Sequence, residues 1–312
     1  MDKWKKIQVI TIFLGCLVHF SCANCLGASG QHYADGSEGF FCGYLPEPGL
    51  YLVNYTYLYT SSSYKNHRGK KSEGLDFHLN VFAVAPRFLY FFEKKLFGAR
   101  YGVYIAQPFY YTDLKLKKEG VMLVDDWDRS LGDTIFSPLI LGNHHGFFHW
   151  IFSFDMVAPT GHYKGKELVT TIVSKNYWSF QPNIAITLLL PQGIDVSAKF
   201  LWEFHTKNSK YYLFNRKVTY APGSTFHTDY AIGIPLSENF RFGINGFFYQ
   251  QLANDEINGL EVKDSKASGF AIGPAFEITY KKLIVSFKEQ FEITAKNSSK
   301  GNVTWLNIYY DF

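Results

Sequence analysis

Charged side chains and histidines recur at every second position in several stretches of the sequence. In residues 194–204, Asp195, Lys199 and Glu203 alternate with apolar and aromatic residues. Alternate side chains of a β-strand point to opposite faces, so this spacing gathers the polar groups on one face. On the inner face of a closed sheet, such groups could bind a solute, filter ions or pair with one another.

The candidate lumen-lining residues all lie on the polar face of a predicted strand. They are Asp76, His78, Arg100, His149, Asp155, Lys199, Glu203, His227, Asp229, Arg241, Lys288 and Glu292. Both signs of charge are present in similar number. A charge-selective filter would concentrate one sign in a ring, so the mixture favours internal ion pairs, with a specific ligand site as the alternative.

One pair of residues could carry hydrolytic chemistry. His227 and Asp229 are two positions apart on a predicted strand, which puts both side chains on the same side. A hydrolase also needs a nucleophile, and no turn or motif marks one. The sequence therefore predicts no catalytic residue and no enzyme.

Histidines also cluster near a predicted short turn, at His144, His145 and His149. Alternate side chains on a strand point apart, and no cysteine or carboxylate completes a ligand set there. The sequence predicts neither a metal site nor a cofactor.

The composition indicates which elements position these residues. The chain has 312 residues, of which 19% are aromatic and 19% charged, and its mean hydropathy is −0.10. A high aromatic content with a mean hydropathy near zero is typical of strands that have one apolar and one polar face. Membrane helices instead give continuous apolar runs. Twelve such segments start near Tyr51, Leu75, Ala99, Gly132, Phe147, Asn176, Ile194, Thr225, Phe240, Ser268, Leu283 and Asn302.

The connections between these segments alternate in length. Short ones are predicted at residues 92–95, 144–146, 190–193, 236–239 and 280–282, and long ones at residues 61–73, 114–130, 160–175, 207–223 and 254–266. Outer-membrane barrels combine short periplasmic turns with long external loops. The sequence therefore predicts an all-β fold, a transmembrane antiparallel up-and-down β-barrel of about 12 strands over residues 50–312.

The first residues have the features of an export signal. A basic start at Lys3, Lys5 and Lys6 precedes an apolar run and small residues before a cut after Ala23. Residues 1–23 are predicted to be a signal peptide. Cleavage would lower the net charge from +4 to +2, because residues 1–23 carry three lysines and one aspartate. The sequence therefore predicts no nucleic-acid surface.

Residues 24–49 are predicted to be either a periplasmic tail or a partial plug that folds into the lumen. If the signal is cut after Ala23, Cys25 could pair with Cys42 in the oxidising periplasm. Lipid attachment at Cys22 or Cys25 is a competing interpretation, although the residues before both cysteines fit a lipid-attachment motif poorly.

The chain ends in Phe312, at the end of an amphipathic segment. Barrel strands of the outer membrane end in an aromatic residue that the assembly machinery reads. The location predicted from these features is the Gram-negative outer membrane, with the assembly machinery, membrane lipid and a small-molecule solute as partners.

Short motifs in a fixed order resemble the SphA-like family, which is also named for the MetA pathway of phenol degradation. They are His32-Tyr33 with Gly36 and Gly39, residues 45–51 (LPEPGLY), residues 131–133 with Ser137-Pro138, Asp155 with residues 159–161 and Tyr163, residues 220–223 (YAPG), 229–231 (DYA), 246–251 (GFFYQQ) and 272–274 (IGP). The resemblance implies a barrel that takes up hydrophobic or aromatic compounds. It transfers no catalytic or binding residue.

The expected function is therefore an outer-membrane channel or transporter for small molecules, with hydrophobic or aromatic solutes implied by the resemblance. A structural barrel without transport is the alternative, and an outer-membrane hydrolase is a further one.

Overall fold

The computed structural model describes residues 30–163, 173–213 and 216–312, which consist mainly of strands and their connections. The predicted signal peptide and Cys25 lie outside these residues. Among the described residues, no helix has the length and apolar character needed to cross a bilayer.

The strands follow one another along the chain with the following bounds: β1 Gly49–Lys65, β2 Leu75–Leu96, β3 Ala99–Ala106, β4 Phe109–Lys118, β5 Val121–Leu131, β6 Thr134–His145, β7 Phe148–Ala158, β8 Ser179–Leu189, β9 Asp195–His205, β10 Asn208–Leu213, β11 Arg216–Ala221, β12 Thr225–Pro235, β13 Phe240–Gln251, β14 Glu256–Ile257, β15 Leu260–Glu261, β16 Ser268–Tyr280, β17 Leu283–Lys296 and β18 Ser298–Asp311.

Twelve of these strands close into one antiparallel barrel. Their order around the ring is β1, β2, β3, β6, β7, β8, β9, β12, β13, β16, β17 and β18, and β18 pairs back with β1. Closure pairs the backbone of every wall strand, which a bilayer requires. The predicted 12-strand barrel is confirmed, and each predicted strand starts no more than four residues from its observed start.

β2 is the longest strand because its two halves pair with different neighbours. Residues 75–84 pair with β4, and residues 87–96 pair with β3. β5 returns along β4 and leads into β6, which pairs with β3. The β4–β5 hairpin therefore prolongs the wall on the side of the long loops.

The short turns lie at the opposite end of the barrel, which is the periplasmic end in this class of fold. β2 and β3 are joined by Phe97 and Gly98, whose φ angles of 53° and 78° suit a tight hairpin turn. The sequence pattern predicted this turn at residues 92–95. That prediction was wrong, because β2 continues to Leu96 and places Lys95 opposite Arg100.

The long loops carry a second, four-stranded sheet formed by β10, β11, β14 and β15. Asp255 holds these loops together. Its carboxylate accepts hydrogen bonds from the Tyr220 hydroxyl at 3.0 Å, the Gly223 N–H at 2.9 Å and the Gln251 amide at 2.7 Å. Burial raises the pKa of Asp255, so the surrounding donors have to offset the cost of its charge.

In the outer half of β2, two residues that were predicted to line the lumen lie on the outside of the barrel. Phe77 and Leu79 are 2% and 0% exposed and pack with Leu114 inside the bore, whereas Asp76 and His78 are exposed on the opposite face. This part of the wall lies towards the long loops, where its outside meets water and charge carries no desolvation cost. Alternation separates two faces but does not say which face is the lumen.

Nearer the periplasmic end, the outer face of the barrel is apolar. Phe82, Phe88 and Tyr90 of β2 are between 43% and 48% exposed, and Ile232 and Ile244 on the other side of the ring are about half exposed. A closed barrel with such a belt is suited to lipid on the outside.

Candidate lumen site

Residues 30–48, here called the lumen segment, lie inside the barrel. Backbone groups of this segment bind side chains on β8, β9, β12 and β17, and we call these four strands the polar wall. Their inward side chains include charged and amide groups that are almost fully buried. Buried polar groups need hydrogen-bond partners, and here the backbone of the lumen segment supplies many of them.

Two opposite charges hold the middle of the lumen segment. Asp229 accepts hydrogen bonds from the Gly36 N–H at 2.7 Å, the Glu38 N–H at 3.0 Å and the Tyr33 hydroxyl at 2.7 Å. Lys288 donates to the carbonyl oxygens of Gly36 and Ser37, both at 2.6 Å, and of Glu38 at 3.0 Å. One turn of backbone is therefore bound on its N–H side by an anion and on its C=O side by a cation.

Glu38 links the lumen segment to the far side of the bore. Its carboxylate lies 3.2 Å from the Arg87 guanidinium on β2 and 3.7 Å from the Lys199 ammonium on β9. Lys199 in turn lies 4.0 Å from Asp155 on β7. The mixed charges that the sequence pattern predicted are thus joined in a network that passes through a residue of the segment.

The inner end of the lumen segment follows the periplasmic rim. The Phe41 N–H donates to Ser197 Oγ at 3.1 Å, and the Gly43 N–H donates to Thr187 Oγ1 at 2.9 Å. Arg100 then donates to the Pro46 carbonyl and pairs with Glu47 at 2.8 Å. The segment therefore closes one side of the inner opening before it enters β1.

Two glycines allow this close approach. A Cβ atom at Gly43 would lie 2.5 Å from the backbone of Ile186 on β8. Gly36 has a φ of +77°, and a Cβ there would lie 2.1 Å from the Gln290 amide oxygen. At Gly39, in contrast, the nearest atom is a Lys288 side-chain carbon at 3.5 Å, which is an ordinary contact.

The outer end of the lumen segment is fixed through His32. Its backbone N–H donates to Glu203 at 2.9 Å, and its ring nitrogens contact Ser179 Oγ at 2.6 Å and Asp133 at 3.0 Å. Burial alone would raise the pKa of Asp133, but the hydrogen bond and charge of His32 and the Lys175 N–H outweigh burial and lower that pKa.

A cavity of about 220 Å³ lies between the lumen segment and the opposite side of the barrel. We call the strands there, β1, β2 and β18, the aromatic wall. Rings line this cavity from several strands: Tyr55, Tyr57, Tyr59, Tyr104, Tyr110, Phe247, Tyr249 and Trp305. Val81, Ala83 and Ala85 leave room between them, and residues 31–38 of the lumen segment form the floor.

Some polar groups that line the cavity have no hydrogen-bond partner among the described residues. They include the indole N–H of Trp305, which is 2% exposed, and Nε of Arg87. A buried donor without a partner costs free energy unless a ligand or water meets it. Rings and alanines therefore line one side of the cavity, while charged side chains such as Glu38, Arg87 and Lys199 line the other.

The structure brings most of the predicted lumen residues into the bore. Those with buried side chains are His149, Asp155, Lys199, Glu203, His227, Asp229, Lys288 and Glu292. Arg100 and Arg241 lie at the inner rim, where Arg241 pairs with Asp195 at 2.6 Å. Asp76 and His78 lie outside. The sequence pattern missed His32, Asp35 and Glu38, which reach the site on the lumen segment.

His227 and Asp229, the pair considered for hydrolytic chemistry, contact different partners. His227 Nδ1 contacts Asp35 at 2.7 Å, while Asp229 is occupied by the backbone of the lumen segment. Ser179, His32 and Asp133 do stand in the order of a hydrolase triad, but Ser179 is 0% exposed and has no access for a substrate.

His144 and His149 meet across the β6–β7 hairpin, although the sequence pattern suggested that these side chains point apart. Their Nδ1 atoms are 2.7 Å apart, and the ring of Tyr44 lies 4.6 Å from each imidazole ring. This cluster packs the inner end of the lumen segment against the wall.

The model of the putative MetA-pathway of phenol degradation family matches residues 60–308. The chain belongs to this family. The resemblance noted in the sequence is thereby confirmed, and the match covers the barrel except for most of β1 and the last residues of β18. No curated protein sequence matches the chain.

Among solved structures, the fold of this family member is similar to the COG4313 outer membrane channel from Pseudomonas putida F1. The TM-score is 0.75 at 15% identity, covering 86% of this chain and 97% of that one. Weaker similarity links it to the β domain of the Bordetella autotransporter BrkA (TM-score 0.45, 10% identity, 86% and 100% covered) and the transport unit of AIDA-I from Escherichia coli (TM-score 0.47, 9% identity, 91% and 95% covered). Together with the apolar belt, the fold confirms the predicted location in the outer membrane.

Proposed function

We propose that this barrel is an outer-membrane channel for small aromatic or hydrophobic molecules. The observation that carries the proposal is the cavity between the lumen segment and the aromatic wall. Its tyrosines and Trp305 offer a ring-shaped solute both apolar area and edge or face contacts. Pockets for small organic ligands are commonly lined by aromatic and apolar side chains with a few polar groups that fix the orientation of the ligand.

The size of the cavity suggests which solutes fit. A cavity of about 150 Å³ in another protein holds benzene. The present cavity of about 220 Å³ therefore accommodates a single aromatic ring with a small substituent. The family description, which refers to phenol degradation, supports the same class of solute.

Filling the cavity tests this proposal. Ala83 of β2 lines the cavity, and its neighbour Val84 points to the other face of the strand. Ala83→Phe places a ring in the solute space and is expected to lower the initial uptake of radiolabelled toluene by about 10-fold, because overpacked space excludes a ligand. Uptake is measured in Escherichia coli cells that express each variant.

Val84→Phe is the matched control, since it adds the same ring on the lipid side. It should leave uptake unchanged. Both variants are first checked for the folded, heat-modifiable band of a barrel on gels. Equal uptake by Ala83→Phe, Val84→Phe and the unmodified protein would contradict the proposal.

A structural barrel without transport is the second candidate, and one observation favours it. The lumen segment closes much of the inner opening through contacts at Ser197, Thr187 and Arg100. If the barrel is structural, cells that express it take up toluene no faster than cells with an empty vector.

Deleting residues 26–44 tests whether the lumen segment narrows a passage. We expect a low single-channel conductance for the unmodified barrel in a planar bilayer and a several-fold higher one for the deletion variant, because the polar wall then faces open water. Unchanged conductance would count against a plugging role for the segment.

A further inference from the structure

Three histidines surround one buried carboxylate at the outer end of the lumen segment. Glu203 is 0% exposed, and its Oε1 accepts from the His32 N–H at 2.9 Å and the Gln181 amide at 2.8 Å. Its Oε2 accepts no hydrogen bond from any described residue, and the nearest cationic group is His227 Nε2 at 3.4 Å. His227 also contacts Asp35 at 2.7 Å, so one imidazole serves two buried carboxylates, and a further cation would lower the cost of burying Glu203.

We propose that His32, Glu203 and His205 form a binding site for a transition-metal ion of the Zn²⁺ type. One ligand atom from each of these residues lies within 4.8 Å of the others. Two imidazoles and one glutamate are a ligand set that zinc uses, with metal–ligand distances of about 2.0–2.2 Å. Such a tetrahedral site needs ligand atoms about 3.3 Å apart, so small side-chain movements complete it.

The surroundings of the two imidazoles match those of metal ligands. His32 Nε2 contacts the Asp133 carboxylate at 3.0 Å, so its Nδ1 faces Ser179 Oγ at 2.6 Å and Glu203 Oε1 at 3.9 Å. A bound ion would replace the contact of Nδ1 with Ser179. Ser179 Oγ lies 2.7 Å from Nδ1 of His205, while Nε2 of His205 is buried without a hydrogen-bond partner in the described part of the chain. Metal-bound histidines commonly place their second nitrogen on a carboxylate or hydroxyl group in this way.

The site joins the lumen segment to the wall. His32 belongs to the segment, and Glu203 and His205 belong to β9. The Asp133 carboxylate adds negative charge beside His32, which favours a divalent cation, while Asp35 pairs with His227. Bound metal would therefore tie the outer end of the segment to the polar wall, in addition to the hydrogen bonds already described.

Titration with Zn²⁺ alone tests the proposal on the full barrel, folded in detergent and freed of metal with a chelator. Calorimetry should show one saturable site per chain. His32→Gln and His205→Gln should each weaken binding by at least about 10-fold, and Asp133→Asn by about 10–100-fold through loss of the supporting carboxylate. His145→Gln, which changes an exposed histidine on a periplasmic turn, should bind as the unmodified protein does.

Substituting Co²⁺ for Zn²⁺ gives a second readout, because four-coordinate Co²⁺ has a characteristic visible absorption. We expect this absorption in the unmodified barrel and its loss in His205→Gln, while both proteins keep the heat-modifiable band of a folded barrel. Absence of saturable Zn²⁺ binding would overturn the proposal. So would affinity that His32→Gln and His205→Gln leave unchanged, since the ion would then bind elsewhere, for instance at His144 and His149.

Discussion

The polar wall and the aromatic wall face each other across one bore but use it differently. The polar wall binds the backbone of the lumen segment, as Asp229 and Lys288 do at residues 36–38. The aromatic wall contacts the segment at fewer points, through Arg87 at the Glu38 carboxylate and Asn307 at the Ser37 carbonyl, and leaves a cavity beside Tyr57 and Trp305. Hydrogen bonds to backbone fix a chain in place, whereas rings and alanines define a space by shape. Substitutions that disturb one wall should therefore spare the task of the other.

The largest effect is expected from Lys288→Met. The change removes a buried ammonium that donates to three carbonyl oxygens of the lumen segment. Breaking such a buried set costs about 3–5 kcal/mol. Protease cleavage within the lumen segment of the folded barrel should become at least about 100-fold faster.

Lys281→Met is the control, since Lys281 is exposed on the β16–β17 turn. It should be cleaved as slowly as the unmodified barrel. If the segment of Lys288→Met stays equally protected, the polar wall is not what holds it.

Two glycines three positions apart provide a sharper comparison. Gly36→Ala forces a side chain into the left-handed region and against the Gln290 amide, and we expect it to cost about 2 kcal/mol of segment docking. Gly39→Ala meets only an ordinary contact and should cost less than about 0.5 kcal/mol. Protection of the segment from protease measures both. Equal effects would mean that the described backbone path is wrong.

On the aromatic wall, Trp305→Phe should separate ligands by their polarity. The indole N–H of Trp305 is buried at the cavity edge and has no partner among the described residues, so we expect a ligand oxygen to accept from it after a small shift of the neighbouring side chains. The Kd for phenol should rise by about 3–10-fold, because the variant lacks one neutral hydrogen bond to the ligand. The Kd for toluene should hardly change, since toluene has no acceptor oxygen. Competition for a fluorescent ring compound measures both affinities. An equal loss for the two ligands would assign Trp305 a packing role alone.

The smallest effect concerns pH at the outer end of the lumen segment. The pKa of Asp133 is lowered in the folded barrel, so its contact with His32 stabilises above the ordinary aspartate range near pH 4 and is lost as the pH falls through the lowered pKa. Protease protection of residues near His32, compared at pH 6 and pH 3 with an acid-active protease, should decrease at the lower pH. Asp133→Asn should be less protected at pH 6 and should show a smaller change with pH.

The barrel itself was predictable from the sequence because alternation and loop length are local signals. Strand number, order and approximate bounds follow from period-two patterns such as that of residues 194–204. The same pattern does not identify the inner face, and Asp76 and His78 were assigned wrongly for that reason. Tyr55, Tyr57 and Tyr59 fall on one parity of β1, a signal that could have marked the aromatic wall.

The lumen site could be predicted only in part, because its contacts join residues far apart along the chain. Glu203, Asp229 and Lys288 were found as polar positions on strands, but their partners on the lumen segment were not. His32 meets Asp133, 101 residues away, and Ser179, 147 residues away. No periodicity in a strand reports such contacts, since the segment has no repeating pattern of its own.

The position of the lumen segment before β1 separates two kinds of stability in this molecule. Every strand-to-strand ladder of the wall is complete without residues 30–48, since β1 begins at Gly49 and pairs with β2 and β18. Withdrawing the segment would therefore break side-chain contacts while leaving the cylinder's own hydrogen bonds intact. The free energy needed to release and redock the segment is therefore independent of the free energy of unfolding the barrel wall.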